Sequence, residues 1–308
     1  MTPIDTENNT PGRPITGIGD TPLAIAITPD GTTAYVSNAT EPGAITPINL
    51  VTGFAETPIT IAANAIPGAI AITPNGSTAY VGDLNSDAVI PINLATKTIG
   101  TPIPTCTTPD DRAAGIVISP DSATAYVSCP LGGTVVPINT STNTTGNPIF
   151  AGEGPEGLAI TPNGATLYVA NFGAFAVVNG QVMQISDGTT VTPFDTATGT
   201  TGIPITVGSE PSSVAITPDG TTAYVTNDAS NTVTPIDIAT NSAGSPITLN
   251  ATLTGTPGFQ IAITPDGTTA YVVTRNNTLI PIDTANNTTQ TPIPVGPFGP
   301  EPSAIAIN

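Results

Sequence analysis

Ile216-Thr217-Pro218-Asp219-Gly220-Thr221-Thr222-Ala223-Tyr224-Val225-Thr226-Asn227 is the stretch that decides the fold. Six versions of it run down the chain, and their tyrosines, Tyr35, Tyr80, Tyr126, Tyr168, Tyr224 and Tyr271, lie 45, 46, 42, 56 and 47 residues apart. A spacing of that size marks a propeller, solenoid or array in which each repeat is one supersecondary unit.

Reading outward from this stretch gives four strands. Ser213–Ile216 alternates small and branched side chains, the period of a strand, here called A. Thr217-Pro218-Asp219-Gly220 is a tight turn: proline presets φ, Asp suits the next place, and glycine tolerates the left-handed exit. Thr222–Thr226 is strand B. Asn227–Asn231 turns into strand C, Thr232–Asp237, and Ala239–Gly244 turns into strand D, Pro246–Leu249. Pro or Gly interrupts nearly every helical window, so a helix is excluded. Four short antiparallel strands make a propeller blade. The small residues of strand A suit the crowded axis. Strand D carries Pro14, Pro58, Pro102, Pro148, Pro204, Pro246 and Pro292, which fits an outer edge. Strand C also carries prolines, at Pro3, Pro47, Pro91, Pro137, Pro193, Pro235 and Pro281. An interior strand accepts these only at a bulge or where the ladder has already parted.

Strand A occurs seven times, the last near 303–307, and strands C and D start within residues 1–18, but strand B occurs six times. The reading is therefore one all-β domain over 1–308. It is a seven-bladed propeller with six complete blades and a composite seventh from 1–18 and 301–308. That seventh blade is expected to have three strands, with the N-terminal segments shifted inward.

Composition narrows the partners. Four Lys+Arg stand against 22 Asp+Glu, for a net charge of −18. With no basic patch, nucleic acid and anionic membrane surfaces are poor partners. No apolar run is long enough for a membrane span. Met1–Asp5 already reads as repeat and lacks the character of a secretion signal, so a signal or anchor is expected outside this chain. Sequons stand at Asn8, Asn38, Asn75, Asn139, Asn143, Asn250, Asn276, Asn286 and Asn287, as fits an exterior protein.

The turn followed by Ala223-Tyr224-Val225-Thr226-Asn227 resembles the YVTN-family β-propeller repeat, which includes archaeal surface-layer proteins and bacterial secreted proteins. The resemblance runs over essentially the whole chain. It implies a seven-bladed propeller outside the cell and implies no reaction. The fourth letter varies, as Asn38, Asp83, Cys129, Asn171, Asn227 and Thr274.

The chain has no histidine, which excludes a Ser-His-Asp triad and histidine metal ligands. Propeller lactonases and lyases lean on His, Arg or clustered acids in the central funnel. This chain has three arginines, Arg13, Arg112 and Arg275, so such an enzyme is the alternative reading rather than the first. No catalytic residue, metal or cofactor is expected. Asp30, Asp121, Asp219 and Asp266, with Asn75 and Asn163, recur at the A–B turn. Each turn offers one carboxylate where calcium takes six to eight oxygens, so Asx turns are the better reading. The six tyrosines read as packing between blades, each hydroxyl reaching a backbone partner. Cys106 precedes the third strand A and Cys129 ends strand B of that unit. Both belong to one face of the disc and read as a disulfide, with two free thiols as the alternative.

The longest spacing, between Tyr168 and Tyr224, holds an insertion from Phe172 to Ile185. Val178-Asn179-Gly180-Gln181 is a type I′ hairpin signal. Phe172, Phe175 and Met183 gather there in a chain poor in such residues, and a loop of this kind over a rigid scaffold is a contact surface. The other reading has the hairpin fold back and bury its own aromatics. The expected function is a non-catalytic extracellular binding, adhesion or surface-assembly module. Its partner would be a protein or glycan at the cell surface, or copies of itself.

Overall fold

Strand B alternates in a way that forces two different neighbours, and this sets the architecture. The computed structural model describes residues 1–249, 260–274, 277–295 and 304–307. Ala223 and Val225 point to one side of their sheet and join the core around Tyr168 of the preceding sheet. Tyr224 points the other way, into the core around Ile261, Ala270 and Val272 of the following sheet. Each sheet therefore packs a face on each neighbour, and the core is divided into wedges between blades. Tyr80, Tyr168, Tyr224 and Tyr271 are fully buried there. Each such side chain contributes on the order of 2 kcal/mol by leaving water.

The described residues form an all-β propeller of six antiparallel, four-stranded blades. In blade 5 the strands are Pro211–Ile216 (A), Thr222–Asn227 (B), Thr232–Asp237 (C) and a D strand in two pieces, Ser242–Ala243 and Ile247–Thr248. Strand B starts at Thr33, Thr78, Thr124, Thr166, Thr222 and Thr269 in blades 1 to 6. The broken D strand explains the prolines of strand C. Pro235 has no N–H to donate, and its carbonyl accepts from Gly244 N at 2.7 Å. The C–D ladder then lapses until Ile247 pairs with Val233, and Pro246 occupies the lapse. The ladder has parted where the donor is missing.

The expected seventh blade is not seen: among the described residues the blades number six. Between blade 6 and blade 1 the described residues pair only as a two-stranded hairpin, Ile4–Asp5 against Thr10–Pro11. Residues 304–307 carry no strand pairing among the described residues. The N-terminal strands have not shifted inward, because they are held at the places of strands C and D. Met1 and Ile15 exchange two backbone hydrogen bonds, as Ile45 and Ile59 pair in blade 1. On the far side, the Tyr271 hydroxyl donates to Asn9 Oδ1 at 2.5 Å. Among the described residues no strand pairing joins this hairpin to 304–307, and Ile4, Ile305 and Ile307 pack against one cluster with Tyr271.

Candidate contact surface

In this topology the B–C turns and the D–A connections share one face of the disc. The blade-4 insertion rises from that face. Its neck is fixed by backbone bonds: Phe172 N to Gly154 O at 2.8 Å, Gly188 N to Phe172 O at 2.7 Å, and Ile185 N to Ala174 O at 2.8 Å. A Cβ on Gly188 would lie 1.9 Å from Asn171 O, and one on Gly173 2.1 Å from Ser186 O, so both must be glycine for the two strands to cross this closely.

Above the neck, Phe175–Val178 pairs with Gln181–Gln184. Asn179 and Gly180 have φ of 53° and 75°, the two left-handed places of a type I′ turn. The two sequence readings of this hairpin each hold for part of it. Phe172 is buried and stacks on Phe175, with ring centroids 6.1 Å apart. Arg112, from the connection entering blade 3, sits 5.8 Å from the centre of the Phe175 ring and pairs with Glu156 at 2.7 Å. Burial pushes the Glu156 carboxyl upward, against the pull of Arg112. The aromatic base is thus part of the scaffold. The tip is open: Val177, Val178, Val182, Met183 and Ile185 are 44, 41, 40, 51 and 62% exposed. Met183 lies opposite Ala176, and Val177 opposite Val182. The structure therefore joins Phe172 to Phe175 and leaves Met183 apart, at the surface.

Cys106 and Cys129 form a disulfide on the same face. Asp111 lies against them, but its carboxylate accepts from Leu131 N at 2.9 Å and Gly132 N at 2.8 Å, closing the B–C turn of blade 3. The sulfurs are bonded to each other and offer no thiolate to a metal.

On the opposite face the acids are tied into their own turns. Asp219 Oδ1 accepts from Thr217 Oγ1, Thr221 N and Thr221 Oγ1, and these bonds hold its carboxyl below the usual carboxylate range. Asp30, Asp121 and Asp266 behave alike. Asn75 and Asn163 accept from Thr73 and Thr161 in the same way.

The tyrosines pack between blades as expected, but most of their hydroxyls find a side chain on the next blade. Tyr80 donates to Asn143 Oδ1 at 2.7 Å, Tyr168 to Asn241 at 2.6 Å and Tyr224 to Asn287 at 2.7 Å. Backbone oxygens of Thr140 and Thr284 lie farther, at 3.2 Å. Each of these asparagines holds the left-handed place of a C–D turn. Tyr35 and Tyr126 face Lys97 and Gly199 at that place, which have no side-chain acceptor. The side chains of Asn143 and Asn287 thus hold a tyrosine hydroxyl, and Asn38 is buried. Asn250, Asn276 and Arg275 lie outside the described residues.

No family model matches the sequence, and no curated protein matches it. Among solved structures the chain is similar to hydrazine synthase of Kuenenia stuttgartiensis, at 22% identity and a TM-score of 0.72, over 95% of this chain and 91% of that one. At that identity the likeness establishes the propeller fold and nothing about activity.

Proposed function

We propose that the chain is a non-catalytic propeller of the YVTN repeat type that acts outside the cell as a binding module, with the tip of the blade-4 hairpin as its contact surface. One observation carries this reading: five exposed apolar side chains on a projection whose base is locked by Phe172, Phe175, Arg112 and Glu156. A rigid stem loses little entropy when its tip is covered, which favours association. The buried disulfide supports an oxidising exterior. The partner is a protein or glycan of the cell surface, met through an apolar patch rather than through charge.

The test is a Val177→Ser/Met183→Ser double variant, compared with the parent chain for retention on intact cell-surface material. The expected result is loss of retention with an unchanged melting temperature. Unchanged retention removes the hairpin from the binding role. Phe172 is unsuited to this test, since its substitution would unfold the stem.

A further inference from the structure

Asparagine followed by glycine occurs three times, at Asn75-Gly76, Asn163-Gly164 and Asn179-Gly180. In this dipeptide the backbone nitrogen is best able to attack the preceding side-chain amide, since glycine has no Cβ to shield it. All three asparagines are exposed. Hydrogen bonding separates them. Asn75 Oδ1 accepts from Thr73 Oγ1 at 2.7 Å and Ser77 N at 3.0 Å, and Asn163 Oδ1 accepts from Thr161 Oγ1 at 2.7 Å and Ala165 N at 3.0 Å. The attacking nitrogens are held as well: Gly76 N donates to Thr73 O and Gly164 N to Thr161 O, each at 2.7 Å. Both turns thus fix the amide and occupy the nucleophile.

Asn179-Gly180 has neither restraint. Among the described residues, no hydrogen bond is made by the Asn179 side chain or by Gly180 N. The bond that closes a two-residue turn joins its flanking residues, here the facing pair Val178 and Gln181, so the Gly180 N–H is left over. A Cβ on Gly180 would meet nothing within 4 Å, so solvent reaches this nitrogen. The strands around it belong to no blade, unlike those around Asn75 and Asn163. They form a two-stranded sheet of their own above the locked neck. Such a hairpin is marginal by itself, and its tip opens at lower cost than a turn inside a four-stranded blade. Backbone and side chain can then swing into line for attack.

We propose that Asn179 is a site of spontaneous deamidation, with water as its only co-substrate, and that the product switches off the hairpin tip; the second half rests on the contact-surface reading above. Gly180 N gives its proton to solvent and bonds to Asn179 Cγ. The Cγ–Nδ2 bond breaks, Nδ2 takes a proton from solvent and leaves as ammonia, and a five-membered succinimide remains. Water then opens the ring. Addition at Cγ gives aspartate, and addition at the backbone carbonyl gives isoaspartate, whose chain runs through Cγ. The sum is one water in and one ammonia out, with no change of oxidation state. Residues 172–186 carry no charge. Either product therefore sets a carboxylate on the tip that exposes Val177, Val178, Val182 and Met183. Covering that charge with a partner is unfavourable. Isoaspartate also adds a methylene to the turn, which then no longer fits the two left-handed places of Asn179 and Gly180.

The experiment ages the whole folded chain in heavy-oxygen water at mildly alkaline pH and maps its peptides by mass spectrometry. Asn179 should convert at least about tenfold faster than Asn75 or Asn163, because each of those must first give up its turn's hydrogen bonds. Isoaspartate at position 179 should accompany aspartate, as the succinimide route requires. In denaturant the three rates should draw together, since the restraints are gone. An Asn179 no faster than the other two in the folded chain overturns the site, and so does a lead that persists in denaturant. Asn179→Asp supplies the charged product uniformly and should weaken retention on cell-surface material at least about tenfold, whereas Asn179→Gly keeps the turn and should not. Retention of Asn179→Asp equal to that of the parent, with Val177→Ser/Met183→Ser released, overturns the switch. If the double variant is retained as well, the contact-surface reading fails and takes the switch with it, while the mass readout still decides the site.

Discussion

Blade 5 and blade 3 solve one problem with different chemistry. In blade 5, strand A runs six residues, Gly220 takes the left-handed place of its turn, and Tyr224 ties to Asn287 of blade 6. Asn227 ends strand B under Gly208, where a Cβ would stand 2.7 Å from the asparagine's own, so the D–A connection presses directly on the strand. In blade 3, strand A is three residues long, and Ser122 takes the left-handed place at φ 64°. Tyr126 meets Phe194 edge-on at 6.2 Å, and the turn place held by Asn287 for Tyr224 is here Gly199, which has no side-chain acceptor. The residue at the place of Asn227 is Cys129, and it is bonded to Cys106 in the D–A connection. A covalent clamp stands where the other blade uses close packing. Blade 3, whose strand A is short, carries this staple.

The heaviest test of this contrast removes the wedge residue of blade 5. Tyr224→Ala should cost about 3–5 kcal/mol, from the lost ring and the cavity, and should be read by denaturant unfolding. Next comes the staple. Cys106→Ser/Cys129→Ser opens a loop set by a separation of 23 residues and should cost about 3 kcal/mol. Reductant should destabilise the parent by a like amount and leave the double variant unmoved. A variant as stable as the parent would mean that close packing alone holds blade 3.

A finer cut separates ring from hydroxyl. Tyr224→Phe removes the part-buried bond to Asn287 Oδ1 on an exposed turn and should cost about 1 kcal/mol at most. Tyr126→Phe should be neutral, because its neighbour at that place is Gly199. Gly199→Asn should then make the tyrosine form the better one, since Asn tolerates a left-handed φ of 74°. A double-mutant cycle over these two positions measures the tie directly.

The turns, the strand order, the disulfide and the Asn179-Gly180 hairpin were legible because each rests on neighbours in sequence or on two residues of one type. The Tyr–Asn ties are not legible in the sequence, since Tyr80 and Asn143 are 63 residues apart and the hydroxyl's direction depends on how blades stack. A signal existed: Asn9, Asn143, Asn241 and Asn287 share one turn place, and Gly53, Lys97 and Gly199 break the series. The blade count departs from the sequence reading for a related reason. Seven A, C and D segments suggested a seventh sheet, but a sheet needs strand B to carry the ladder from A to C. Phe172 and Phe175 looked like one exposed group with Met183. Composition marks the cluster, but Arg112 from the connection entering blade 3, paired with Glu156 on strand A of blade 4 itself, decides which of its members is covered.

The smallest effect compares blade 5 with blade 4 at their A–B turns. Asp219 and Asn163 accept the same kind of bond from Thr217 and Thr161, but only the aspartate titrates. Its folded pKa is lowered, chiefly by the Thr217 hydroxyl, so the unfolded chain binds the proton more tightly. Stability from this group is therefore complete above the ordinary carboxylate range and is lost as pH falls through the depressed folded value. Replacing Asp30, Asp121, Asp219 and Asp266 by Asn should flatten the acid side of the stability profile and leave the neutral region nearly unchanged. The net charge of −18 works in the opposite direction, since protonation relieves repulsion within the compact state. Salt separates the two. Screening weakens repulsion between distant exposed charges, while a hydrogen bond inside one turn is little affected. At high ionic strength the parent should still lose stability toward acid faster than the fourfold variant. Parallel profiles there would mean that the turn aspartates act as asparagines do, through shape alone.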